Sequence, residues 1–448
     1  MGFSFRDYLR DAAGKDPVAF LFLCKGPDMK KTHIVSLVAL SLAFGGIAVQ
    51  PFAPQVAFAA DAKAKQFTNR EVATPAGAAQ KLMGEKKFKE AVVELEKANA
   101  VAKKTPYETY VVNLLLMQCY SQLQDNNGAV KAFEASSATG EMDAPTQLNL
   151  TKALMSNFYS AKNYPKMIEY SQRVLKDNPN DVDTLSLVAN AYYLQNNFKG
   201  AADASRTVIK ASQASGKAPS EQTLGLLMSA EYKQQNDAGV LAAVEQLVAL
   251  YPKEEYWRNL VDLSGKALRS APSKTGLDVV MVKSYLGLMK TADEYVDGSQ
   301  LALQEGFPGT AKALMESGMK SGVLGTGAQK DRENRLLAKA TQDAATDQAA
   351  LAKGVAEASN AKTGDALVKL GEAYASYGQY DKAIETIQAG IAKTPANADD
   401  AKLRLGIAYI QAGKRQQGLD AFKGITAGTP TAQVAKLWSL ASGNKKSA

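Results

Sequence analysis

A set of residues that recurs at a fixed offset of 35 constrains this sequence more than any other feature. One copy near the end of the chain contains Leu370, Gly371, Tyr374, Ala383, Ile387 and Pro395. The next copy contains Leu405, Gly406, Tyr409, Gly418, Phe422 and Pro430. A period of this length is typical of proteins that stack small helical units, because one unit alone cannot bury its apolar face.

Less regular copies precede this pair in the sequence. Their residues at the position of Ala383 are Ala91, Ala129, Met167, Ala201 and Val240. Ala311 lies midway between Val240 and Ala383, so we expect degenerate units centred near residues 276, 311 and 347. Apolar residues recur at helical spacing between short runs of Gly, Asn and Pro. The sequence therefore predicts an all-α protein, an α-solenoid of about ten stacked antiparallel helix pairs.

The spacing resembles the tetratricopeptide repeat (TPR), in which L-G-x-x-Y is followed by Ala, Phe and Pro. Small residues let the two helices approach closely, Tyr fills the space between them, and Pro ends the second helix. The resemblance is strongest at residues 364–430, looser at 76–252 and weakest at 253–362. It implies a TPR-like superhelix whose concave inner surface is lined by the first helix of each pair.

Residues 29–59 have the three parts of a secretory signal peptide. The segment begins with the positive Lys30-Lys31, continues through the uncharged residues 34–49 and ends with the small-x-small pattern Ala57-Phe58-Ala59. We expect cleavage after Ala59, which would place the mature protein in the periplasm or outside the cell, with no membrane span. A retained N-terminal anchor is the alternative.

The rest of the chain divides into segments by the strength of the repeat. Residues 1–28 precede the signal peptide and are interpreted as a mis-called N-terminal extension, with translation starting at Met29. After the leader we expect a linker at 60–74, an N-terminal TPR-like array at 75–252, degenerate helical repeats at 253–362, a C-terminal TPR pair at 363–430 and a capping helix with a tail at 431–448. The degenerate stretch is either diverged repeat or an elaborated binding segment.

The residues left after cleavage exclude several kinds of catalysis. Cys24 and the only histidine, His33, lie before the cleavage site, so the mature protein would keep one cysteine, Cys119. Hydrolysis through an imidazole base and zinc sites built on His or Cys are therefore excluded. The Gly325-Thr326-Gly327 run lacks the spacing of a phosphate-binding loop. We predict no enzyme activity and no cofactor or metal, with a hydrolase based on two carboxylates as the minor alternative.

The charge pattern indicates which kinds of binding partner the sequence favours. A net charge of +8 comes from 53 basic and 45 acidic residues that are interspersed along the chain. The sequence has no arginine-rich arm and no basic stripe with stacked aromatics, so we predict no nucleic-acid partner. An anionic envelope polymer stays open as a partner. Asp181 and Asp400 stand at expected helix starts, where capping and the helix dipole account for them.

The resemblance also implies where a partner would bind. In TPR proteins, side chains at the second, fifth, ninth, twelfth and thirteenth places of the first helix face the ligand. At such places this sequence has Gln118, Gln122, Lys152, Tyr159, Asn190, Tyr193 and Tyr232. Lys152 and Asn190 are similar to the lysine and asparagine that grip a peptide carboxylate in some family members. The expected function is an exported scaffold or adaptor that binds a protein or peptide in the groove; the alternative is a structural envelope component that assists polymer export or assembly.

The register of the repeat leads to a first prediction. Ala383 is expected at the close crossing of two helices, so replacing it with Leu should overpack the crossing. The free energy of unfolding should fall by roughly 1–3 kcal/mol. Thermal denaturation of Ala383→Leu and of the unsubstituted protein provides the measurement. Identical melting curves would show that the register of this repeat is wrong.

Overall fold

The computed structural model describes residues 66–444. In that range the chain forms twenty α-helices and no strand, which confirms the all-α prediction. The helices belong to two compact units, an N-terminal unit that ends at Asn236 and a C-terminal unit that begins at Asp237. The predicted extension, the signal peptide and its cleavage site lie outside the described residues, and the segment boundaries at 252 and 362 remain predictions.

The N-terminal unit contains nine described helices, of which the first eight form four consecutive pairs. They are α1 (Arg70–Gly84), α2 (Phe88–Ala100), α3 (Pro106–Gln122), α4 (Asn126–Ser137), α5 (Ala144–Ser160), α6 (Tyr164–Asp177), α7 (Val182–Leu194), α8 (Phe198–Ala214) and α9 (Glu221–Lys233). Each helix from α1 to α8 packs against its successor, both within a pair and between pairs. The apolar residues of α1 to α7 consequently join in one continuous core.

The C-terminal unit contains eleven described helices. They are α10 (Asp237–Leu250), α11 (Glu254–Ala267), α12 (Ser273–Tyr285), α13 (Ala292–Gln304), α14 (Pro308–Lys320), α15 (Lys330–Asn360), α16 (Asp365–Ser376), α17 (Tyr380–Ala392), α18 (Ala398–Gln411), α19 (Arg415–Phe422) and α20 (Pro430–Ser442). Each of these helices also packs against the next one in the chain. Stacking of consecutive helices is therefore the architecture of both units.

The same turn joins the two helices of most pairs, the pair α11–α12 being an exception. After the first helix, one residue adopts a left-handed conformation, and the next backbone N–H bonds to the carbonyl five residues earlier at 2.8–3.0 Å. This is the Schellman arrangement, which satisfies the last carbonyls of a helix. The left-handed residues are Lys86, Gln124, Lys162 and Asn196 in the N-terminal unit, and Gly306, Gly378 and Gly413 in the C-terminal unit.

Small residues lie where the paired helices cross, as the repeat predicts. A side chain added to Gly371 would sit 2.9 Å from the carbonyl oxygen of Ala383, and one added to Gly418 would sit 2.9 Å from that of Gly406. The other positions that the repeat predicts are fully or almost fully buried, and they include the larger Met167 and Val240 beside Ala91, Ala129, Ala201 and Ala311. Close approach at these positions brings the apolar faces of both helices into contact.

One of the three expected degenerate units is not a helix pair. Helices α11–α12 and α13–α14 supply pairs near residues 276 and 311. Near residue 347, however, the single helix α15 runs without interruption for 31 residues. Its sequence is rich in Ala and in long polar residues that favour helix, and it contains no proline and only one glycine, Gly354. No residue in this stretch therefore stops the helix and begins a second one.

The last described helix, α20, does more than cap the end of the stack. It packs on α18 and α19, but it also contacts α10, α11 and α12 from the start of the same unit. The contact with α12 includes the rings of Trp438 and Tyr285, whose centroids are 5.3 Å apart. Val434, Leu437, Trp438 and Ala441 are buried, because their spacing places them on one side of the helix.

The left-handed turns predict opposite effects for two substitutions. Gln124→Gly should raise the free energy of unfolding by roughly 0.5–1 kcal/mol, because the relief of left-handed strain exceeds the added entropy of the unfolded chain. Gly378→Ala should lower it by about 1 kcal/mol, since no atom lies within 4 Å of the added carbon and only the backbone is strained.

Urea denaturation of both variants measures these changes. The control is Lys131→Gly inside α4, an exposed position where glycine should destabilise by about 1 kcal/mol. If Gln124→Gly destabilised the protein as much as Lys131→Gly does, the left-handed conformation of Gln124 would be contradicted.

Candidate functional site

The first helices of the N-terminal unit lie side by side and form a surface that we call the first-helix face, made of α3, α5, α7 and α9. The amide nitrogen of Asn157 on α5 lies 3.4 Å from the hydroxyl of Ser121 on α3. Lys152 on α5 forms an ion pair with Asp181, which precedes α7, and α7 contacts α9 directly. All seven residues predicted to bind a partner belong to these four helices.

The predicted binding residues differ in how accessible they are. Gln118 and Gln122, one helical turn apart on α3, are exposed to solvent. Tyr232 on α9 is partly buried. Whether these side chains contact a partner remains a prediction. The two glutamines have the accessibility that a contact residue requires.

Two of the predicted tyrosines also pack against an aromatic residue at the start of the next helix, across the turn within their own pair. The ring of Tyr159 meets Tyr164 edge to face at 5.7 Å, and that of Tyr193 meets Phe198 in the same way at 5.3 Å. Burial raises the pKa of both Tyr159 and Tyr193, so both hydroxyls stay protonated at neutral pH. Each ring is thus fixed on one side and partly exposed on the other. A rigid aromatic surface of this kind contributes contact area at low entropic cost.

Lys152 and Asn190 do not form a pair of free donors. The ammonium group of Lys152 binds Asp181, and the amide of Asn190 donates to the carbonyl of Ser186 on its own helix at 3.0 Å. Burial acts to raise the pKa of Asp181, but hydrogen bonds from Lys152 and from the backbone of Thr184 outweigh it, and the pKa is lowered. Asp181 is therefore ionised and neutralises the lysine. The grip on a peptide carboxylate that the resemblance implied is not assembled here.

Two contributors to the first-helix face were missed in the sequence. Ser121 and Asn157 lie 36 residues apart, one repeat, and they meet across the interface between pairs. Single polar residues of this kind give no sequence signal, since they match no motif. Cys119 on α3 is a buried free thiol. Burial raises its pKa to about 11, so the thiol is not ionised at neutral pH.

A second candidate site lies in the C-terminal unit, where five charged side chains form a cluster on three helices. The guanidinium of Arg404 on α18 makes a two-pronged ion pair with Asp278 on α12 and also contacts Glu372 on α16, at 3.0 Å from its Nε. Lys274 on α12 binds Glu372 at 2.9 Å and Asp400 at 3.2 Å. Asp400 also pairs with Arg404 at 2.9 Å. Its role is therefore not limited to the start of helix α18.

The electrostatics of this charge cluster are set by burial. Burial raises the pKa of Glu372, although Arg404 and Lys274 oppose the shift. Burial acts in the same direction on Asp400, but the two cations outweigh it there and its pKa is lowered. For Arg404, burial alone would lower the pKa, whereas the charge of Asp278 raises it. Glu372 therefore takes up a proton more readily than Asp400 does, because the pKa is raised for Glu372 and lowered for Asp400.

The charge cluster borders a cleft with a volume of about 540 Å³. Asp278, Glu372 and Arg404 line it, together with Trp438 from α20. A smaller cavity of about 290 Å³ lies against Lys274, Glu372 and Asp400. Sequence reasoning missed this site because Asp278 and Arg404 are 126 residues apart, and a charged residue inside a helical repeat normally faces solvent.

Between residues 66 and 444, no group of three or more His, Cys, Asp or Glu side chains is placed to hold a metal ion. None of the helices in that range has both the length and the apolar composition needed to cross a membrane.

The raised pKa of Glu372 predicts how its replacement affects stability. Its carboxyl binds a proton more readily in the folded state than in the unfolded state. In the unfolded state the carboxyl has its ordinary pKa of 4.5. Folding of the unsubstituted protein therefore becomes less favourable as the pH rises above that value. Glu372→Gln should be more stable than the unsubstituted protein at pH 7, and the difference should shrink below pH 4.5.

Urea denaturation at pH 7 and at pH 4 tests this expectation. Glu385→Gln, at an exposed position on α17, is the control. It should change the free energy of unfolding little at either pH. A Glu372→Gln variant that is clearly less stable at pH 7 would mean that the ionised carboxylate is net favourable in the cluster.

Comparison with known proteins identifies no close relative. No family profile matches this sequence, and no curated protein matches it. Among solved structures, a tetratricopeptide repeat protein from Parabacteroides merdae aligns over 61% of this chain and 100% of its own, at 12% identity and a TM-score of 0.30. The apo form of RapI aligns over 72% of this chain and 97% of its own, at 12% identity and a TM-score of 0.27.

The TPR domain of P58(IPK) aligns over 77% of this chain and 99% of its own, at 12% identity and a TM-score of 0.20. Likenesses with identities and TM-scores this low carry no argument about the present chain. The fold assignment depends instead on consecutive helix contacts, on the turn shared by the pairs and on the small residues at the crossings. By these features the described part of the chain is a TPR-like helical repeat.

Proposed function

We propose that this protein is an exported scaffold or adaptor that binds an extended peptide segment of a protein partner along the first-helix face. The observation that carries the proposal is the chemistry of that face. Its accessible side chains are mainly amides, hydroxyls and tyrosine rings, including Gln118, Gln122, Asn157, Tyr159 and Tyr193. Its one central lysine, Lys152, is neutralised by Asp181.

An extended peptide suits this chemistry. Its backbone presents N–H and C=O groups, which amide and hydroxyl side chains can pair with in either direction. Tyrosine rings add contact area without much loss of side-chain entropy. Because the face carries little net charge, binding should depend only weakly on ionic strength. This property separates the proposal from an anionic polymer, whose binding would weaken strongly in salt.

Export is the second part of the proposal and is supported by the sequence alone. The segment at 29–59 has the charge, apolar and cleavage features of a secretory leader. In the proposed mature protein, the chain begins after Ala59 and functions in the periplasm or outside the cell. N-terminal sequencing of the protein recovered from that compartment tests the cleavage site.

The two alternative functions differ in the support they have. A structural envelope component that assists polymer assembly is consistent with the net charge of +8, and it is an outcome of the test below. The carboxylate hydrolase gains no support from the charge cluster. Each carboxylate there is paired with Lys274, Arg404 or both, and such pairing leaves none of them as a free base.

Site-specific photocrosslinking tests the proposed binding face. A benzophenone amino acid is placed at Gln118 on the first-helix face or, as a control, at Gln172 on the second helix α6. Both positions are exposed and helical, so the two proteins should fold alike. Illumination in cells that export the protein should yield a polypeptide adduct from position 118 and much less from position 172.

The substitution Gln118→Arg should then reduce binding of the captured partner by about tenfold, a loss of about 1.4 kcal/mol, because a charged side chain is forced into a neutral contact. Gln172→Arg should leave binding unchanged. Equal adducts from both positions, or an adduct that is a glycan, would contradict the proposed peptide-binding face, and the glycan would favour the envelope alternative.

A further inference from the structure

The charge cluster of the C-terminal unit is not electrically balanced. Its carboxylates are Asp278, Glu372 and Asp400, and its cations are Lys274 and Arg404. With all five groups ionised, the cluster carries one excess negative charge. Asp278 and Arg404 are buried, and an uncompensated charge in such a place is costly. The cluster can be neutralised by a proton or by a bound cation.

The excess charge lies at the inner end of a cleft that opens to solvent. Glu316, Thr341 and Gln348 line one part of the cleft and are exposed, so they mark its mouth. Asp278 and Arg404 line another part and are buried, so they mark its floor. A solute that enters at the mouth can therefore reach the charged floor.

Part of the wall of the cleft is apolar. Leu277 and Met281 on α12 contribute to it, with Phe307 before α14 and Ile407 on α18. Apolar walls with a few converging polar groups are characteristic of small-molecule sites, whose volumes run from about 300 to 1,000 Å³. The volume of this cleft, about 540 Å³, is within that range.

One residue that lines the cleft, Trp438, also carries an unpaired hydrogen-bond donor. Trp438 is fully buried and lines the cleft, and its indole Nε1 has no acceptor. Buried indole N–H groups usually find a partner, because leaving one unsatisfied costs about 1–3 kcal/mol. This observation is independent of the charge cluster, since Trp438 belongs to α20 and the charged residues belong to α12, α16 and α18.

A purely structural role explains the cluster only in part. Arg404 and Asp278 join α18 to α12, and this pair alone would hold the two helices together. It does not account for the net negative charge of the fully ionised cluster, nor for the open cleft or the unpaired indole. All three features are explained if the cleft holds a ligand.

We propose that this cleft binds a small organic cation, a primary ammonium group on a short aliphatic chain that also carries an acceptor oxygen. The ammonium group binds at the floor beside Glu372 and Asp278 and balances the cluster. The aliphatic chain lies along the wall formed by Leu277 and Met281. The acceptor oxygen takes the hydrogen bond of the Trp438 indole. This site is separate from the first-helix face, and its occupancy does not depend on the proposed scaffold function.

Two probes of equal size test the proposal on the full-length mature chain. They are 5-aminopentanamide, which has the ammonium group and the amide oxygen, and hexanamide, in which a methyl group replaces the ammonium. Calorimetric titration at pH 7.5 and low salt measures both affinities. The ammonium probe should bind with one site per chain and at least tenfold more tightly, a difference of about 1.4 kcal/mol. Equal affinities, or no saturable binding of the ammonium probe at millimolar concentration, would overturn the proposal.

Variants then locate the probe in the cleft. Glu372→Gln removes the excess negative charge and should abolish the preference for the ammonium probe. Glu385→Gln, at an exposed position on α17, should keep that preference. Thermal denaturation checks that both variants are folded. An unchanged preference in folded Glu372→Gln would place the probe elsewhere and contradict the proposal.

A further variant covers the case in which Glu372→Gln does not fold. Trp438→Phe keeps an aromatic ring and removes only the indole donor. It should weaken the binding of 5-aminopentanamide severalfold. The affinity of n-pentylamine, which has no acceptor oxygen, should not change. An equal change for both amines, or no change for either, would exclude Trp438 as the partner of the acceptor oxygen.

Discussion

The described structure depends on one constraint: a pair of short helices cannot bury its apolar faces unless it packs against the next pair. The turn within each pair places the second helix on the first, and the small residue at the crossing, such as Ala129 or Ala383, lets the backbones approach. The second helix then offers an apolar face to the following pair. The core is therefore continuous along the stack, and no single pair is expected to be stable alone.

The two units use this constraint differently. In the N-terminal unit the first helices leave a polar and aromatic face accessible, as shown by Gln118 and Gln122. In the C-terminal unit α20 packs back on α10, α11 and α12, and Arg404 joins α18 to α12. Buried ion pairs are weak evidence of stability, because desolvation offsets much of their attraction. The charge cluster alone therefore does not account for the stability of the C-terminal unit.

The repeat could be predicted from the sequence because packing acts on local spacing. The positions of Gly371, Ala383 and Gly418 follow from a 35-residue offset, and the structure confirms the close contacts at the glycines. The long helix α15 was missed because an alanine-rich stretch without turn residues fits either one helix or two. Lys152 was predicted to face the groove, and this remains a prediction; its pairing with Asp181 could not be predicted, because it depends on how neighbouring repeats stack. Such contacts join distant residues and leave no local pattern.

The stacking of successive first helices is the central claim, and crosslinking of paired cysteines measures it directly. In a Cys119→Ser background, Ser121→Cys and Asn157→Cys place two thiols where the native side chains are 3.4 Å apart. A short bifunctional thiol reagent should join them rapidly in the folded protein and slowly in urea. The pair Ser121→Cys and Gln172→Cys, with one residue on a second helix, should not react. Failure of the first pair to crosslink in the folded state, or equal reaction of both pairs, would contradict this account.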